Sequence, residues 1–123
     1  MIIEILGRPV SKKNSKQVFY KNGKMIVIPS KAYVTFKKDA GKQLLQYQRQ
    51  LLKGKLFIRY VFYQKGKLRQ DFDNAIGSIN DILQDFNYIE NDKDILTGEF
   101  EIVTNAKEWK TILEINTCKN YVS

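Results

Sequence analysis

The amino-acid sequence predicts a single domain of the α+β class, a mixed α/β fold with one mixed sheet and two main helices. A chain of 123 residues has the length of one ordinary domain. Two segments, at 31–53 and 72–86, carry apolar residues three and four positions apart, which is the spacing of amphipathic helices. The other apolar segments are short, rich in β-branched and aromatic residues, and separated by turn residues, which is typical of strands. We therefore expect residues 1–123 to form one domain in which two helices pack on a mixed sheet.

Local signals give the order of the elements. The short apolar run from Ile2 to Leu6 predicts a buried first strand. Asn22-Gly23 lies between two apolar runs and predicts a hairpin, because both residues tolerate positive φ. Ser30 is the expected N-cap of the first helix, and Gly54 is expected to end it. Further strands are expected at 56–63, 95–103 and 109–116.

Each helix has a predicted buried face. In the first helix this face comprises Tyr33, Phe36, Ala40, Leu44, Tyr47 and Leu51. In the second helix it comprises Phe72, Ile76, Ile79, Leu83 and Phe86. The opposite side of the first helix carries cations that either follow a DNA backbone or simply face solvent, namely Lys37, Lys38, Lys42 and Arg49.

The composition excludes several classes of site. The chain has one cysteine and no histidine. This excludes a disulfide within the chain, zinc sites built from Cys and His, and catalysis by Ser or Cys paired with His. Glu4 stands where a signal peptide would carry positive charge, and no apolar run reaches the length of a membrane span. We therefore expect a cytoplasmic protein with no membrane partner.

The charges divide the chain into a basic and an acidic part. Residues 1–70 hold 17 Lys and Arg residues against two acids, whereas residues 71–123 hold four Lys residues against 11 acids. A basic part favours a polyanionic partner such as a nucleic acid. An acidic cluster within a basic protein favours a bound metal ion, and the two together favour a metal-dependent nuclease. The alternative is that the acids form an ordinary solvated face.

The acids of the second part lie at both ends of the second helix. Asp71 and Asp73 stand where this helix is expected to begin, and Glu90, Asp92 and Asp94 follow its end. If the chain folds back there, a third carboxylate can meet the first two, and these would repel one another unless a divalent cation lay among them. Oxygen ligands of this kind suit Mg²⁺ or Mn²⁺. The structural alternative is that one aspartate caps the helix, which would leave the other unexplained.

Several motifs resemble those of the RusA family of Holliday junction resolvases. The family's D-x-D-N, D-A-L and D-D motifs are matched by Asp71-Phe72-Asp73-Asn74, Asp81-Ile82-Leu83 and Tyr88-Ile89-Glu90-Asn91-Asp92. Its P-x-S-x-N loop is matched by Gly7-Arg8-Pro9-Val10-Ser11-Lys12-Lys13-Asn14, and the opening of its first long helix by Pro29-Ser30-Lys31-Ala32-Tyr33. The resemblance covers the chain from Leu6 to Ile95, and the combined spacing of the aspartates is fairly specific.

The resemblance implies a small Mg²⁺-dependent endodeoxyribonuclease of DNA recombination and repair, of a kind often carried by prophages. The family's three essential metal-binding aspartates match Asp71, Asp73 and Asp92, and two further motif positions match Asn74 and Asp81. Family members are homodimers with a mixed αβ fold. A four-way junction has two-fold symmetry and needs two opposed cuts, so a two-fold dimer with one site per chain would suit this branched DNA.

Basic and polar residues on either side of the acidic segment are our candidates for contacts to DNA. Such contacts to the backbone position a nuclease without reading the base sequence. The candidates are Lys12, Lys13, Asn14, Lys16, Lys67 and Arg69.

Two positions depart from the family pattern. The family commonly has a catalytic lysine four residues after the second aspartate, where this chain has Gly77, and Asn91 replaces the first acid of the usual acidic pair. A glycine inside a helix costs about 1 kcal/mol relative to alanine, which indicates either close packing or a close approach of DNA at Gly77. The alternative function is therefore a dimeric branched-DNA-binding protein with impaired catalysis. A third hypothesis is a small protein-binding domain with a basic surface.

Overall fold

The computed structural model describes residues 1–11, 16–47, 51–67 and 70–118, with only the backbone described at residues 16 and 17. These residues form a single small α+β domain, as the sequence predicts. Its elements in chain order are β1 (Ile2–Leu6), β2 (Lys16–Lys21), β3 (Lys24–Pro29), α1 (Lys31–Leu44), β4 (Leu56–Tyr63), α2 (Phe72–Asp85), a 3₁₀ turn (Asp92–Asp94), β5 (Ile95–Val103) and β6 (Lys110–Thr117).

The main sheet is mixed, and β4 lies within it. The strand order is β1-β6-β4-β5, with β4 antiparallel to β6 and parallel to β5. Because β4 and β5 are parallel neighbours, the chain must cross between them, and α2 makes this crossing. Alternate residues of β4 are buried in the core that both helices share, namely Leu56, Ile58, Tyr60 and Phe62. The predicted strands at 56–63 and 95–103 are confirmed.

The second sheet is a hairpin of two strands, β2 and β3. Asn22 and Gly23 join the strands with φ of 54° and 73°, which is the conformation that the predicted Asn-Gly turn requires. The hairpin is exposed from Val18 to Ile28, and seven of these residues are apolar. They are Val18, Phe19, Tyr20, Met25, Ile26, Val27 and Ile28.

Helix α1 begins as predicted but ends earlier. The Ser30 side chain accepts a hydrogen bond of 3.1 Å from the Tyr33 amide, which confirms the N-cap. The helix ends at Leu44, so the prediction that it continues to 53 is wrong. The reason is a long-range contact, because Leu52 pairs with Ile89 in an isolated bridge and must therefore leave the helical path. Gly54, with φ of 88°, lies in the turn before β4 rather than at the helix end.

The buried face of α2 differs from the predicted one. Ile79 and Leu83 are buried as predicted, but Phe72 is 40% exposed and Phe86 is half-buried. Two small residues, Ala75 and Ser78, occupy the packed side of the helix instead. Small residues let α2 approach the core closely, whereas Ile76 is only partly buried against the core and Phe72 is exposed.

Candidate functional site

Asp71 and Asp73 lie at the N-terminus of α2. Asp71 is the N-cap, and its Oδ1 accepts a hydrogen bond of 2.9 Å from the Asp73 amide. The capping alternative therefore holds for Asp71, whereas Asp73 lies within the first turn and is exposed. A cap uses one carboxylate oxygen, so Asp71 keeps a second oxygen for a ligand.

Asp92 is the first residue of the 3₁₀ turn that follows α2. Its amide donates a hydrogen bond of 3.2 Å to Oε1 of Gln84, which ties the turn to the C-terminal half of the helix. Asn91 caps the turn, since its Oδ1 accepts a hydrogen bond of 2.9 Å from the Lys93 amide. Glu90 lies 3.9 Å from the Lys53 ammonium. Of Glu90, Asp92 and Asp94, the acids that directly follow α2, Asp92 is the one that lines a cleft against the helix.

This cleft has a volume of about 290 Å³ and lies between α2, the 3₁₀ turn and β5. Its helical side is formed by Ile76 and Asn80. Asn80 follows Asp73 by two helical turns, so the two side chains leave the helix in nearly the same direction, about 10 Å apart along its axis. Asp71 and Asp73 thus lie at the N-terminal end of α2, and Asp92 lies beside the middle of the helix, next to Asn80.

The three aspartates do not form a ready metal cluster in the part of the chain that the structure describes. There, no group of three or more Cys, Asp or Glu side chains has an arrangement that could hold a metal ion. The donor chemistry nevertheless fits Mg²⁺ or Mn²⁺, because all three are exposed carboxylates. Among the described residues none of the three forms an ion pair with Lys or Arg. The metal site remains a prediction.

A buried tyrosine stands at the centre of the cleft. The Tyr60 hydroxyl donates a hydrogen bond of 2.6 Å to Oδ1 of Asn80. Burial raises the pKa of Tyr60 to about 12, the hydrogen bond to Asn80 opposes this, and the negative charge of Asp92 adds to it. Tyr60 is therefore a neutral donor at physiological pH. By occupying Oδ1, it leaves the amide nitrogen of Asn80 as the group available to a ligand.

Asn74 and Asp81 have different surroundings. Asn74 is half-buried in the first turn of α2. Asp81 lies close enough to α1 for its charge to act on Tyr33 and Lys37, whose pKa values it helps to raise. Lys37 also forms an ion pair of 2.9 Å with Asp85, and the hydrogen bond in this pair is the main cause of its raised pKa. Asp81 therefore lies towards α1, while the cleft side of α2 carries Asn80.

Most of the predicted DNA-contacting residues cannot be placed. Lys12, Lys13, Asn14 and Arg69 lie outside the described residues. Only the backbone of Lys16 is described, at the start of β2, and Lys67 is exposed in the segment before α2. Of the α1 cations, Lys37 is held by Asp85.

The chain segments next to these residues are tied to the start of α2. The Gln70 side chain donates a hydrogen bond of 2.6 Å to the Pro9 carbonyl, and Ser78 Oγ donates one of 2.9 Å to the Val10 carbonyl. Buried Gln64 accepts a hydrogen bond of 2.7 Å from the Gln70 amide. These contacts bring the N-terminal loop, the end of β4 and the residue before Asp71 together.

Sequence reasoning missed several residues of the site. The sequence does not single out Tyr60, which belongs to the apolar strand predicted at 56–63, or Asn80, which precedes the motif residue Asp81. The signal for Asn80 is its separation of seven residues from Asp73, which keeps both on one helix face. Phe100, which also lines the cleft, could be located only through its pairing with Tyr60 across β4 and β5.

Comparison with known proteins gives no family assignment. No protein-family model matches the chain, and no curated protein matches it. Within the described ranges, neither helix combines the length and apolar character needed to cross a membrane.

Proposed function

We propose that the protein is a metal-dependent endodeoxyribonuclease that resolves Holliday junctions by paired symmetric nicks. The observation that supports this most directly is the placement of the acids around one helix. Asp71 and Asp73 lie at its N-terminus, and Asp92 returns to the same side of it beside Asn80. The resemblance of these motifs to the RusA family adds the substrate class, branched DNA.

In this proposal Asp71, Asp73 and Asp92 hold Mg²⁺ or Mn²⁺. The chemistry that such an ion supplies when bound is activation of water and neutralisation of charge on the attacked phosphate. The chain itself contributes positioning. The cap at Asp71 fixes one carboxylate, Gln84 fixes the backbone of Asp92, and Tyr60 orients the amide of Asn80 towards the bound DNA. Lys12, Lys13, Asn14, Lys16, Lys67 and Arg69 remain the proposed contacts to the DNA backbone.

The test is cleavage of a labelled four-way junction and a matched linear duplex, each with Mg²⁺ and with EDTA. Paired nicks in the junction alone, dependent on metal, are expected. Asp73→Asn should abolish cleavage and spare binding, because Asp73 does not serve as the helix cap. Asp94→Asn is the matched control, since Asp94 lies in the same 3₁₀ turn as Asp92 but not along the cleft, and it should cut normally. Full activity of Asp73→Asn would refute the site.

The second candidate function is a branched-DNA-binding protein with impaired catalysis, and Gly77 is the observation that favours it. A Cβ at Gly77 would meet no protein atom within 4 Å, so close packing does not explain the glycine. The Cβ of a lysine would thus have room there, yet the chain lacks this residue. If the wild-type protein binds the junction without cutting it, and Gly77→Lys cuts it, this second function is the correct one.

The proposed homodimer needs a contact surface, and the β2–β3 hairpin is our candidate. The apolar faces of α1 and α2 are used within the domain, and Trp109 is half-buried beneath the Arg8 guanidinium, 4.9 Å from its ring centroid. The hairpin, in contrast, exposes its seven apolar residues, and a two-stranded ribbon is marginally stable alone. A second copy of the chain is the partner that a two-fold symmetric junction requires.

The proposed dimer can be tested by size-exclusion chromatography with light scattering, which measures the mass of the eluted protein. Val27→Lys places a charge on the hairpin and should shift the protein from dimer to monomer. Leu45→Lys is the matched control, because Leu45 is 84% exposed but lies at the end of α1, and this variant should remain dimeric. A wild-type monomer, or a dimer that Val27→Lys leaves unchanged, would reject the hairpin surface. Neither result would bear on the proposed cytoplasmic location or on the proposed DNA partner.

A further inference from the structure

Two exposed aromatic rings are stacked beside the proposed metal site. The rings of Phe72 and Phe100 are parallel within 6°, with their centroids 4.4 Å apart. Phe72 is 40% exposed and Phe100 is 48% exposed, although a stacked pair of this size could bury much more of its surface. Phe72 stands between Asp71 and Asp73 in the chain. The ring pair is therefore positioned at the carboxylates and remains open to solvent.

The ring pair continues into the cleft described above. Phe100 lines this cleft together with Tyr60, its partner in the β4–β5 register. Between Leu96 and Phe100 on the same face of β5 lies Gly98, whose missing side chain leaves backbone at that position. A Cβ there would clash with the Ile58 carbonyl oxygen. The cleft thus has aromatic, aliphatic and backbone surfaces, and Asp92 and Asn80 at its polar side.

The chemistry of the cleft favours a neutral aromatic group over an anionic one. Glu99 lines it but is paired with Arg59 at 3.6 Å, whereas Asp92 has no ion-pair partner among the described residues, so an unaccompanied phosphate would be repelled there. The amide nitrogen of Asn80 is the donor left by the Tyr60 hydrogen bond, and Thr97 supplies a hydroxyl. The volume of about 290 Å³ lies just below the range for ligand pockets, about 300 to 1,000 Å³. In DNA, the neutral aromatic group with hydrogen-bonding edges is the base.

We propose that this cleft receives an unstacked nucleobase and that Phe100, on which Phe72 is stacked, forms the surface against which the base stacks. The inference rests on the proposed function, because it assumes a DNA substrate, and it adds a reason for selectivity. Bases next to a branch point or mismatch leave the helical stack at lower cost than bases within a duplex. Entry of one such base would bring the adjoining phosphate towards Asp71 and Asp73, whereas a continuous duplex would offer no base to the cleft.

The experiment measures binding by fluorescence anisotropy in EDTA, where no cutting occurs. The probes are a four-way junction, a linear duplex, and junctions in which each nucleotide flanking the branch is replaced in turn by an abasic site. Stacking of one base on an aromatic ring corresponds to roughly a tenfold change in affinity or more. We expect one abasic position to weaken binding of the wild-type protein about tenfold, and Phe100→Leu to weaken junction binding equally while leaving duplex binding unchanged.

The decisive comparison combines the two changes. Phe100→Leu should bind the intact and the abasic junction with the same affinity, because without the ring the base has no surface on which to stack. Phe57→Leu makes the same substitution on β4, three residues before Tyr60 and hence on the opposite face of the sheet, and it should behave as wild type. Thermal melting of both variants checks that they are folded.

The possible failures are distinct. If the wild-type protein binds the junction but no abasic position matters, or if Phe100→Leu loses junction and duplex binding equally, the base cleft is refuted and the nuclease proposal stands. If the wild-type protein does not bind the junction at all, both proposals fail.

Discussion

The two ends of α2 differ in how closely the rest of the molecule packs against them. At the C-terminal end the Phe86 ring packs against Gly41 of α1, Asp85 pairs with Lys37 at 2.9 Å, and the Tyr88 hydroxyl donates a hydrogen bond of 2.9 Å to the Leu44 carbonyl. At the N-terminal end Phe72 remains exposed and the space beside Gly77 is open.

The difference shows that one apolar helix pattern can serve two purposes. Large apolar residues near the C-terminus of α2 stabilise its packing on α1. Near the N-terminus, Ile76 lines the cleft that contains Asp92, and Phe72 stacks on the Phe100 ring, which also lines this cleft. The two helical glycines show the same difference, because the Phe86 ring packs on Gly41 whereas the space beside Gly77 is open.

The largest effect on stability is expected from Gly41→Ala. The added Cβ would lie 2.5 Å from Cζ of Phe86, so the ring must move from its place between the helices. We expect the free energy of unfolding to fall by about 1–3 kcal/mol, as overpacking usually does, despite the better helix propensity of alanine. Urea unfolding measures this. In a Phe86→Leu background the same substitution should be neutral or stabilising, and an equal loss in both backgrounds would show that the packing at this end is not tight.

A smaller, pH-dependent effect is expected midway along α2, at Tyr60→Phe. The lost hydrogen bond to Asn80 should cost about 1 kcal/mol at neutral pH. The pKa of Tyr60 in the folded state, about 12, lies above its ordinary value of 10.0. The stability that this shift contributes is fully present below pH 10 and is lost as the pH rises through 12. The wild-type advantage over Tyr60→Phe should therefore shrink above pH 10, as urea unfolding at pH 8 to 12 would show. Parallel curves would mean that Tyr60 is not buried as a neutral donor.

The smallest effect is expected from Gly77→Ala. Because nothing lies within 4 Å of the added Cβ, only the backbone preference changes. We expect the free energy of unfolding to rise by about 0.5–1 kcal/mol. Gly77→Ala also serves as the control for Gly77→Lys in the cleavage assay, since it adds a side chain without a charge. A loss of stability in urea unfolding would show that the N-terminal end of α2 is enclosed after all.

The sequence predicts the strands of the main sheet well, because their signals are local. The strand at 56–63 is predicted from its own β-branched and aromatic residues, and the hairpin of the second sheet from Asn22-Gly23, and both are confirmed. The early end of α1 could not be predicted, because it depends on Leu52 pairing with Ile89, far away in the chain. The buried face of α2 was predicted only in part, since a pattern of large apolar residues takes no account of Ala75 and Ser78.

The same distinction applies to the candidate site. The position of Asp71 and Asp73 at a helix start follows from local sequence, and the structure agrees. The position of Asp92 relative to them depends on how the chain returns along α2 through the Gln84 contact. Tyr60 joins the cleft only because β4 and β5 are parallel neighbours, a pairing that no short segment specifies.

The pairing of β1 with β6 has a consequence for the order of folding. Every residue of β1 has its partner in β6, so the sheet is complete only when the two ends of the described chain meet. β4, α2 and β5 are consecutive in the chain and carry the cleft, so their contacts are nearer in sequence and cost less chain entropy to form. We expect the cleft-bearing unit to acquire protection before β1 does in pulse-labelling hydrogen exchange, and simultaneous protection would contradict this. Until closure, the buried side chains Ile3 and Ile5 would be exposed to solvent on an unpaired strand, and the unfinished sheet would then be most prone to aggregate.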